Sequence, residues 1–222
     1  MHALIVAAGR PPTRPALDSA WPGWADDVDL VIAADGGART AERLGLRPAL
    51  VVGDLDSIDP ADLEGLRAAG VPVETAPAAK DESDTELAVG AALARGADRL
   101  TIVGGLGGRP DHLLANIGLL GLPSLGGRPT TLLDGSTRLT LLRGPARVEL
   151  SGRVGDLVSL IPYGDGVEGV TTAGLHWPLA DEALPVGPAR GLSNRRTAVL
   201  AQISVRSGLL VAVETNGDES DL

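Results

Sequence analysis

Apolar residues fall along the first part of the chain in short continuous runs separated by segments with helical spacing. Ala3–Ala8, Leu30–Ala34, Ala49–Val52, Val71–Thr75, Leu100–Val103 and Thr130–Leu133 are such runs. They predict buried strands, since a strand covered on both faces needs no polar alternation. Gly37–Leu44, Pro60–Ala69, Asp84–Arg95 and Asp111–Leu120 place apolar residues at helical intervals between them and predict helices. Strand and helix in alternation imply a parallel sheet with right-handed crossovers. After about Ser136 the pattern changes to strands alone: Leu139–Leu142, Arg147–Leu150, Leu157–Ile161, Val167–Thr172, Val199–Val205 and Leu209–Val213. These predict a small antiparallel sandwich or barrel, with Ser207 and Gly208 as a hairpin turn between the last two strands. The expectation is therefore an α/β part over residues 1–136 and an all-β part over 137–222. Arg10–Pro15 reads as a Pro-rich mobile loop and Asn216–Leu222 as a frayed acidic tail. There is no internal repeat.

Composition narrows the chemistry. Of 222 residues, 44% are hydrophobic but only 2% aromatic, with no Phe, so the core must be built from Leu, Val, Ala and Ile. The absence of Cys removes disulfides, zinc–thiolate sites, iron–sulfur clusters and cysteine nucleophiles together. With three His, any metal site must rest on oxygen ligands, which suit Mg²⁺ or Ca²⁺. A net charge of -10 argues against nonspecific nucleic-acid binding, but not against a nucleotide carried in with Mg²⁺. No apolar run approaches the roughly 20 residues of a membrane helix, and Met1–Gly9 lacks a basic flank, so the expectation is a cytoplasmic protein with no membrane partner.

The carboxylates cluster by position. Asp35 follows a predicted strand and precedes Gly36 and Gly37, while Asp54 and Asp56 follow the next one. All three lie at the C-terminal edge of the predicted sheet, where open parallel sheets bind ligands. An extended chain through Gly53–Ser57 would point Asp54 and Asp56 to one side, where they could share a hard cation. Singly, each is also an ordinary turn former or helix cap. Lys80, Asp81 and Asp84 follow the fourth strand, and Ser83 with Glu86 has capping-box spacing. That helix start also offers free N–H groups to an anion. Gly104-Gly-Leu-Gly-Gly-Arg109 follows the fifth strand, allowing close backbone approach to a ligand, with Arg109 as a phosphate fork and Asp111 as a further acid. It is neither a P-loop nor a dinucleotide fingerprint. Asp35, Asp54, Asp56, Asp84 and Asp111 together would repel one another without a cation, so the edge reads as a polyphosphate site with Mg²⁺. His112 is placed on the helix surface without a role. In the second part, Trp177 is core or a face for a ring, and Ser193 and Asn194 shape a turn or bond that ring's polar edge.

Six motifs in order carry a resemblance: Asp35-Gly-Gly, Gly53-Asp-Leu-Asp-Ser57, Lys80-Asp-Glu-Ser-Asp-Thr-Glu86, Gly104-Gly-Leu-Gly-Gly-Arg-Pro-Asp-His112, Gly174-Leu-His-Trp-Pro-Leu179 and Gly191-Leu-Ser-Asn194. In this order the chain resembles the thiamine pyrophosphokinase family, from about Ala33 to Asn194. The resemblance implies an α/β nucleotide-binding domain (1–136) followed by a β-sandwich thiamine-binding domain (137–222), in a homodimer with active sites between subunits. It implies transfer of a diphosphate from ATP to the hydroxyl of thiamine, with Mg²⁺. By motif position, Asp35, Asp54, Asp56, Asp84 and Asp111 would be catalytic, with Asp54, Asp56 and Asp84 on the metal. Lys80, Ser83, Gly107 and Arg109 would bind ATP, and Trp177, Ser193 and Asn194 the thiamine pyrimidine. Arg195 stands where the family pattern leads one to expect an acid. A pyrophosphokinase of another ring alcohol such as a pterin, a nonenzymatic nucleotide or thiamine sensor, and a Mg²⁺-dependent phosphohydrolase are the alternatives, and a role for Arg10 at ATP stays open.

Overall fold

The computed structural model describes residues 1–77 and 79–216; the acidic tail expected from Asn216 onward falls, past its first residue, outside them. The chain divides into two compact units, Met1–Gly135 and Ser136–Leu222. The architecture is mixed α/β, and among the described residues helices are confined to the first unit and strands alone build the second.

In the first unit, β1 (His2–Val6), β2 (Leu30–Ala34), β3 (Leu50–Gly53), β4 (Val73–Thr75), β5 (Arg99–Val103) and β6 (Thr130–Asp134) run parallel in the order β4-β3-β2-β1-β5-β6. Central β1 is buried at every position, which is why its sequence is apolar without alternation. The chain steps outward from β1 to β4, then returns past β1 to begin β5. The β1–β5 boundary is therefore the topological switch point, and a crevice opens outside the strand ends there. Among the described residues, five α-helices lie between the strands: α1 (Arg14–Ala20), α2 (Gly37–Arg43), α3 (Pro60–Ala68), α4 (Asp84–Ala94) and α5 (Pro110–Leu119). In α4, Thr85, Ala88, Val89 and Ala92 recur at helical spacing and are buried. Its start is fixed by the Ser83 hydroxyl, which accepts from the Glu86 N–H at 3.1 Å, as the capping spacing predicts.

Helix α1 corrects the expected loop over Arg10–Pro15. Thr13 caps it by accepting from the Ala16 N–H at 3.3 Å, and Pro15 sits in its first turn, where a missing N–H costs nothing. Proline here starts a helix. The turn after it buries Trp21 and Trp24 against Leu4, Leu17, Leu44, Val103 and Leu133. The Trp21 indole N–H donates to the Gly135 carbonyl at 3.1 Å and that of Trp24 to Asp18 Oδ1 at 2.8 Å.

In the second unit, β7 (Thr137–Arg143), β8 (Ala146–Ser151), β9 (Leu157–Ala173), β10 (Glu182–Leu184), β11 (Asn194–Arg195), β12 (Leu200–Val205) and β13 (Ser207–Thr215) pair antiparallel. The two strands expected at Leu157–Ile161 and Val167–Thr172 are one, β9, whose first half pairs with β13 and whose end pairs with β12. Gly164 and Gly166 sit at the irregularity between its two stretches of pairing with β13, and the change to β12 comes after Glu168. The expected hairpin at Ser207–Gly208 is likewise a corner: β12 pairs with β8 and β9, β13 with β7 and β9, and not with each other. The backbones pack so closely at this corner that a Cβ on Gly208 would stand 2.3 Å from the Gly166 carbonyl oxygen. Leu150, Val158, Leu160, Val170, Ile203 and Leu210 are among the residues forming the core between the ladders. Beside it, Glu214 is buried with Arg196 and takes Arg138 on its other oxygen at 2.5 Å. Among the described residues, no helix is long and apolar enough to cross a membrane.

Candidate active site

The crevice at the switch point is a cleft of about 690 Å³, lined by the segments that follow β1, β2, β3 and β5 and by the first turn of α4. Asp35 ends the β2 run, and its N–H donates to the Val52 carbonyl at 2.8 Å. Its φ of 47° is left-handed, a conformation Asp tolerates better than most residues but still at a cost of about 1 kcal/mol. Gly53 makes the approach of the acids possible. A Cβ there would lie 2.9 Å from Asp35 Cβ and 3.1 Å from Asp84 Oδ1. Similarly, Gly37 lets α2 begin against the end of β1, where a Cβ would meet the Val6 carbonyl oxygen at 2.0 Å.

Asp35, Asp54 and Asp84 each bring a carboxylate oxygen to within 4.8 Å of the others. Asp35 is 3% exposed, and its Oδ1 has no hydrogen-bond partner. Burial pushes its carboxyl above the ordinary range, Ser57 and Gly36 offset part of that, and the charges of Asp84 and Asp56 add to it. Asp54 is held below the ordinary range, first by the Asp56 N–H, which donates to its Oδ1 at 3.3 Å, and then by Lys80. Lys80 stands among the acids, 2.5 Å from Asp84 Oδ1 and 3.4 Å from Asp54 Oδ2. Burial works to lower its pKa, but the two carboxylates outweigh it and keep the ammonium charged.

Asp56 lies differently from the arrangement expected for an extended chain. Leu55 takes a left-handed φ of 66°, so the period of two is broken between Asp54 and Asp56. Asp56 lines the cleft outside the three-carboxylate group, its Oδ1 accepting from the Ser57 hydroxyl at 3.0 Å. Asp111 is exposed and paired with Arg109 at 2.6 Å, which pulls its carboxyl down to about 2. Arg109, Gly107, Gly108 and Ser83 line the cleft, Ser83 with its hydroxyl committed to capping α4.

Four groups at this edge were not assigned a role from the sequence. Arg10 and His112 line the cleft. Buried Asn116 donates to the Gly105 carbonyl at 2.8 Å and so fixes the Gly-rich loop; its place in the second turn of α5 was the available signal. Asp134 ends β6, one residue past the predicted strand, and burial pushes its carboxyl up to about 6, with the charge of Arg10 opposing the rise.

In the second unit, Trp177 is 50% exposed, its ring meeting His176 edge-on with centroids 4.6 Å apart. Asn194 is buried and spends its amide on the Trp177 backbone: Oδ1 accepts the Trp177 N–H at 3.0 Å and Nδ2 donates to the Trp177 carbonyl at 2.7 Å. It positions the tryptophan. Ser193 has a left-handed φ of 53° and its N–H donates to Ser159 Oγ at 3.0 Å, leaving its hydroxyl on the exposed side beside Leu192.

Two family models match the chain, one for the thiamin pyrophosphokinase catalytic domain over residues 23–124 and one for its vitamin B1 binding domain over 147–210. The chain belongs to the thiamine pyrophosphokinase family. The thiamine pyrophosphokinase of Bacillus subtilis (strain 168) is 27% identical over 212 residues, which are 95% of this chain and 97% of that protein. A crystal structure of the B. subtilis protein superposes with a TM-score of 0.85 at 27% identity, over 98% of this chain and 100% of that one. A thiamin pyrophosphokinase from Geobacillus thermodenitrificans gives 0.81 at 28%, over 100% of both chains. The Candida albicans thiamin pyrophosphokinase shares the fold, with a TM-score of 0.79 at 15% identity, over 97% of this chain and 89% of that one. Family membership makes the chain a thiamine diphosphokinase and lends no support to the pterin-alcohol or sensor alternatives.

Proposed function

We propose that the acid-lined cleft binds ATP with Mg²⁺ and moves the ATP diphosphate to the hydroxyl of thiamine, releasing thiamine diphosphate and AMP. The observation that carries this reading is the grouping of Asp35, Asp54 and Asp84 around Lys80. The donor set fits Mg²⁺: its atoms are all carboxylate oxygens, and Asp35 Oδ1 is buried without a partner. Asp35, Asp54 and Asp84 would hold the ion, which when bound neutralises phosphate oxygens and polarises the phosphorus under attack. The rest is done by the chain. Lys80 is freed to face a phosphate once its carboxylates are otherwise engaged, while Arg10, Arg109 and the Gly107–Gly108 backbone take the phosphates on the β1–β5 side. The thiamine hydroxyl attacks the β-phosphorus, its oxygen forming the new P–O bond as the bond to the α-phosphate oxygen breaks. A carboxylate at the cleft takes the hydroxyl proton, and AMP leaves.

Thiamine carries two flat rings, one of them cationic, and the exposed face of Trp177, steadied by Asn194, offers the stacking surface such a ring needs. From the family resemblance we further propose a homodimer with sites shared between subunits, working in the cytoplasm. Mixing two impaired variants, assayed with thiamine well below KM, tests the shared site. Asp54→Asn and Trp177→Ala dimers exchanged at equal ratio should regain about a quarter of wild-type activity if each site draws its acids and its tryptophan from different subunits. No recovery after verified exchange would contradict it. The reaction itself is tested by AMP release: thiamine-dependent AMP with an equal yield of thiamine diphosphate is expected, whereas AMP without thiamine would mark a hydrolase.

A further inference from the structure

Asp134 has no part in the reaction as described. It closes β6 at the ligand-binding edge of the sheet, and its position is built rather than incidental: buried Trp21 donates to the carbonyl of the next residue, Gly135, at 3.1 Å, and Leu133 before it lies in the core. Among the described residues its carboxylate accepts no hydrogen bond and forms no ion pair. The Gly-rich loop runs directly over it. A Cβ on Gly107 would lie 4.0 Å from Asp134 Oδ2 and 3.2 Å from Arg10 Cβ, so a side chain there would press on the arginine stem and crowd the carboxylate. A half-buried carboxylate has given up water, and without a donor that loss is uncompensated. Its raised pKa reports the same deficit.

Asp35 at the end of β2 and Asp134 at the end of β6 stand three strand spacings apart, roughly 14 Å. They cannot grip the same phosphate. A single ligand reaching both must carry a polyphosphate at one end and hydrogen-bond donors at the other. From this placement we infer that Asp134 accepts hydrogen bonds from the ribose hydroxyls of ATP, seating the nucleoside past the Gly-rich loop while the polyphosphate lies over β1–β3. The vicinal hydroxyls give two donors to two carboxylate oxygens, the pairing that an acidic residue at a strand end makes with ribose in dinucleotide folds. This inference rests on the ATP reading of the cleft given above.

The test is a comparison of ATP, 2′-deoxy-ATP, 3′-deoxy-ATP and ITP as diphosphate donors for the wild type, Asp134→Asn and Asp134→Ala, with direct binding of unreactive α,β-methylene-ATP alongside. The wild type should prefer ATP to each deoxy form by tenfold or more, an estimate of about what one charged hydrogen bond supplies. Asp134→Ala should raise KM for ATP about tenfold, erase that preference and leave KM for thiamine unchanged; Asp134→Asn, which keeps one acceptor, should fall between. Wild-type indifference to the deoxy forms, or a preference that survives in Asp134→Ala, overturns the assignment without recourse to a variant's stability in the first case. Loss of discrimination against ITP in place of deoxy-ATP overturns it in favour of the base amine. Failure of the wild type to bind α,β-methylene-ATP at all would overturn the ATP reading itself, and this assignment with it.

Discussion

The acid-lined cleft of the first unit and the Trp177 surface of the second are built by opposite means. In the cleft, polar groups are left unsatisfied and the backbone is held in costly conformations: Asp35 and Leu55 have left-handed φ, and Asp35 Oδ1 is buried without a donor. Around Trp177 both ends of the Asn194 amide are closed on backbone and the ring is half exposed, with left-handed Ser193 the one costly backbone position beside it. The difference follows from the ligands. Groups meant to meet phosphate and cation must be withheld from partners of their own, whereas a stacking face needs only to be fixed and bare. The cleft should therefore trade stability for activity, and the tryptophan surface should not.

The largest effect should come from breaking the acid group. Asp54→Asn or Asp84→Asn should lower kcat by about a thousandfold in an AMP-release assay while leaving the melting temperature close to that of the wild type. Next, Trp177→Ala should raise KM for thiamine about tenfold or more with KM for ATP unchanged. Asn194→Ala should share that KM defect and, because it strands a partly buried N–H and carbonyl, cost about 1 kcal/mol in chemical denaturation, which Trp177→Ala should not.

Asp35→Asn sharpens the comparison from the other side. The folded-state pKa of Asp35 is raised above the unfolded value of 3.8, so the ionised carboxylate penalises folding at neutral pH and the penalty disappears as pH falls below that value. Asp35→Asn should abolish activity yet melt higher than the wild type at pH 7, with the gain vanishing below about pH 4. A lower melting temperature at pH 7 would show that the carboxylate is satisfied after all. The smallest effect should be that of Asp111→Asn. Its ion pair with Arg109 is exposed, so stability should not move measurably and kcat/KM for ATP should fall by less than about tenfold.

How far each region was legible in the sequence follows from the same contrast. Asp35, Asp54, Asp56, Asp84, Lys80 and the Gly-rich loop line the cleft because a parallel sheet sends the residues after each strand to one edge, whereas Asp111, expected with them, pairs with Arg109 at the surface outside that lining. The assignment of Asp56 beside Asp54 assumed extended backbone, and a left-handed Leu55 is not a residue from which such a turn can be read. Asp134 was passed over because the apolar run ends at Leu133 and nothing in the local pattern shows that Trp21, far away in sequence, pins the strand end there. Helix α1 was hidden by its prolines, which the capping Thr13 turns into a start signal. In the second unit the strands were visible one by one, but their pairing was not. Continuity of β9 through Gly164 and the corner at Gly208 depend on which backbones cross in space, and alternation along one strand carries no record of that.

The measurement that bears most directly on the three-carboxylate site is AMP release from ATP by the wild type and by Asp54→Asn, with and without thiamine and Mg²⁺, with the melting temperature of each recorded. The wild type should release AMP and thiamine diphosphate in equal amounts only when both thiamine and Mg²⁺ are present, and the folded variant should release them about a thousandfold more slowly. AMP formed without thiamine, or a folded Asp54→Asn enzyme turning over at the wild-type rate, would contradict the site.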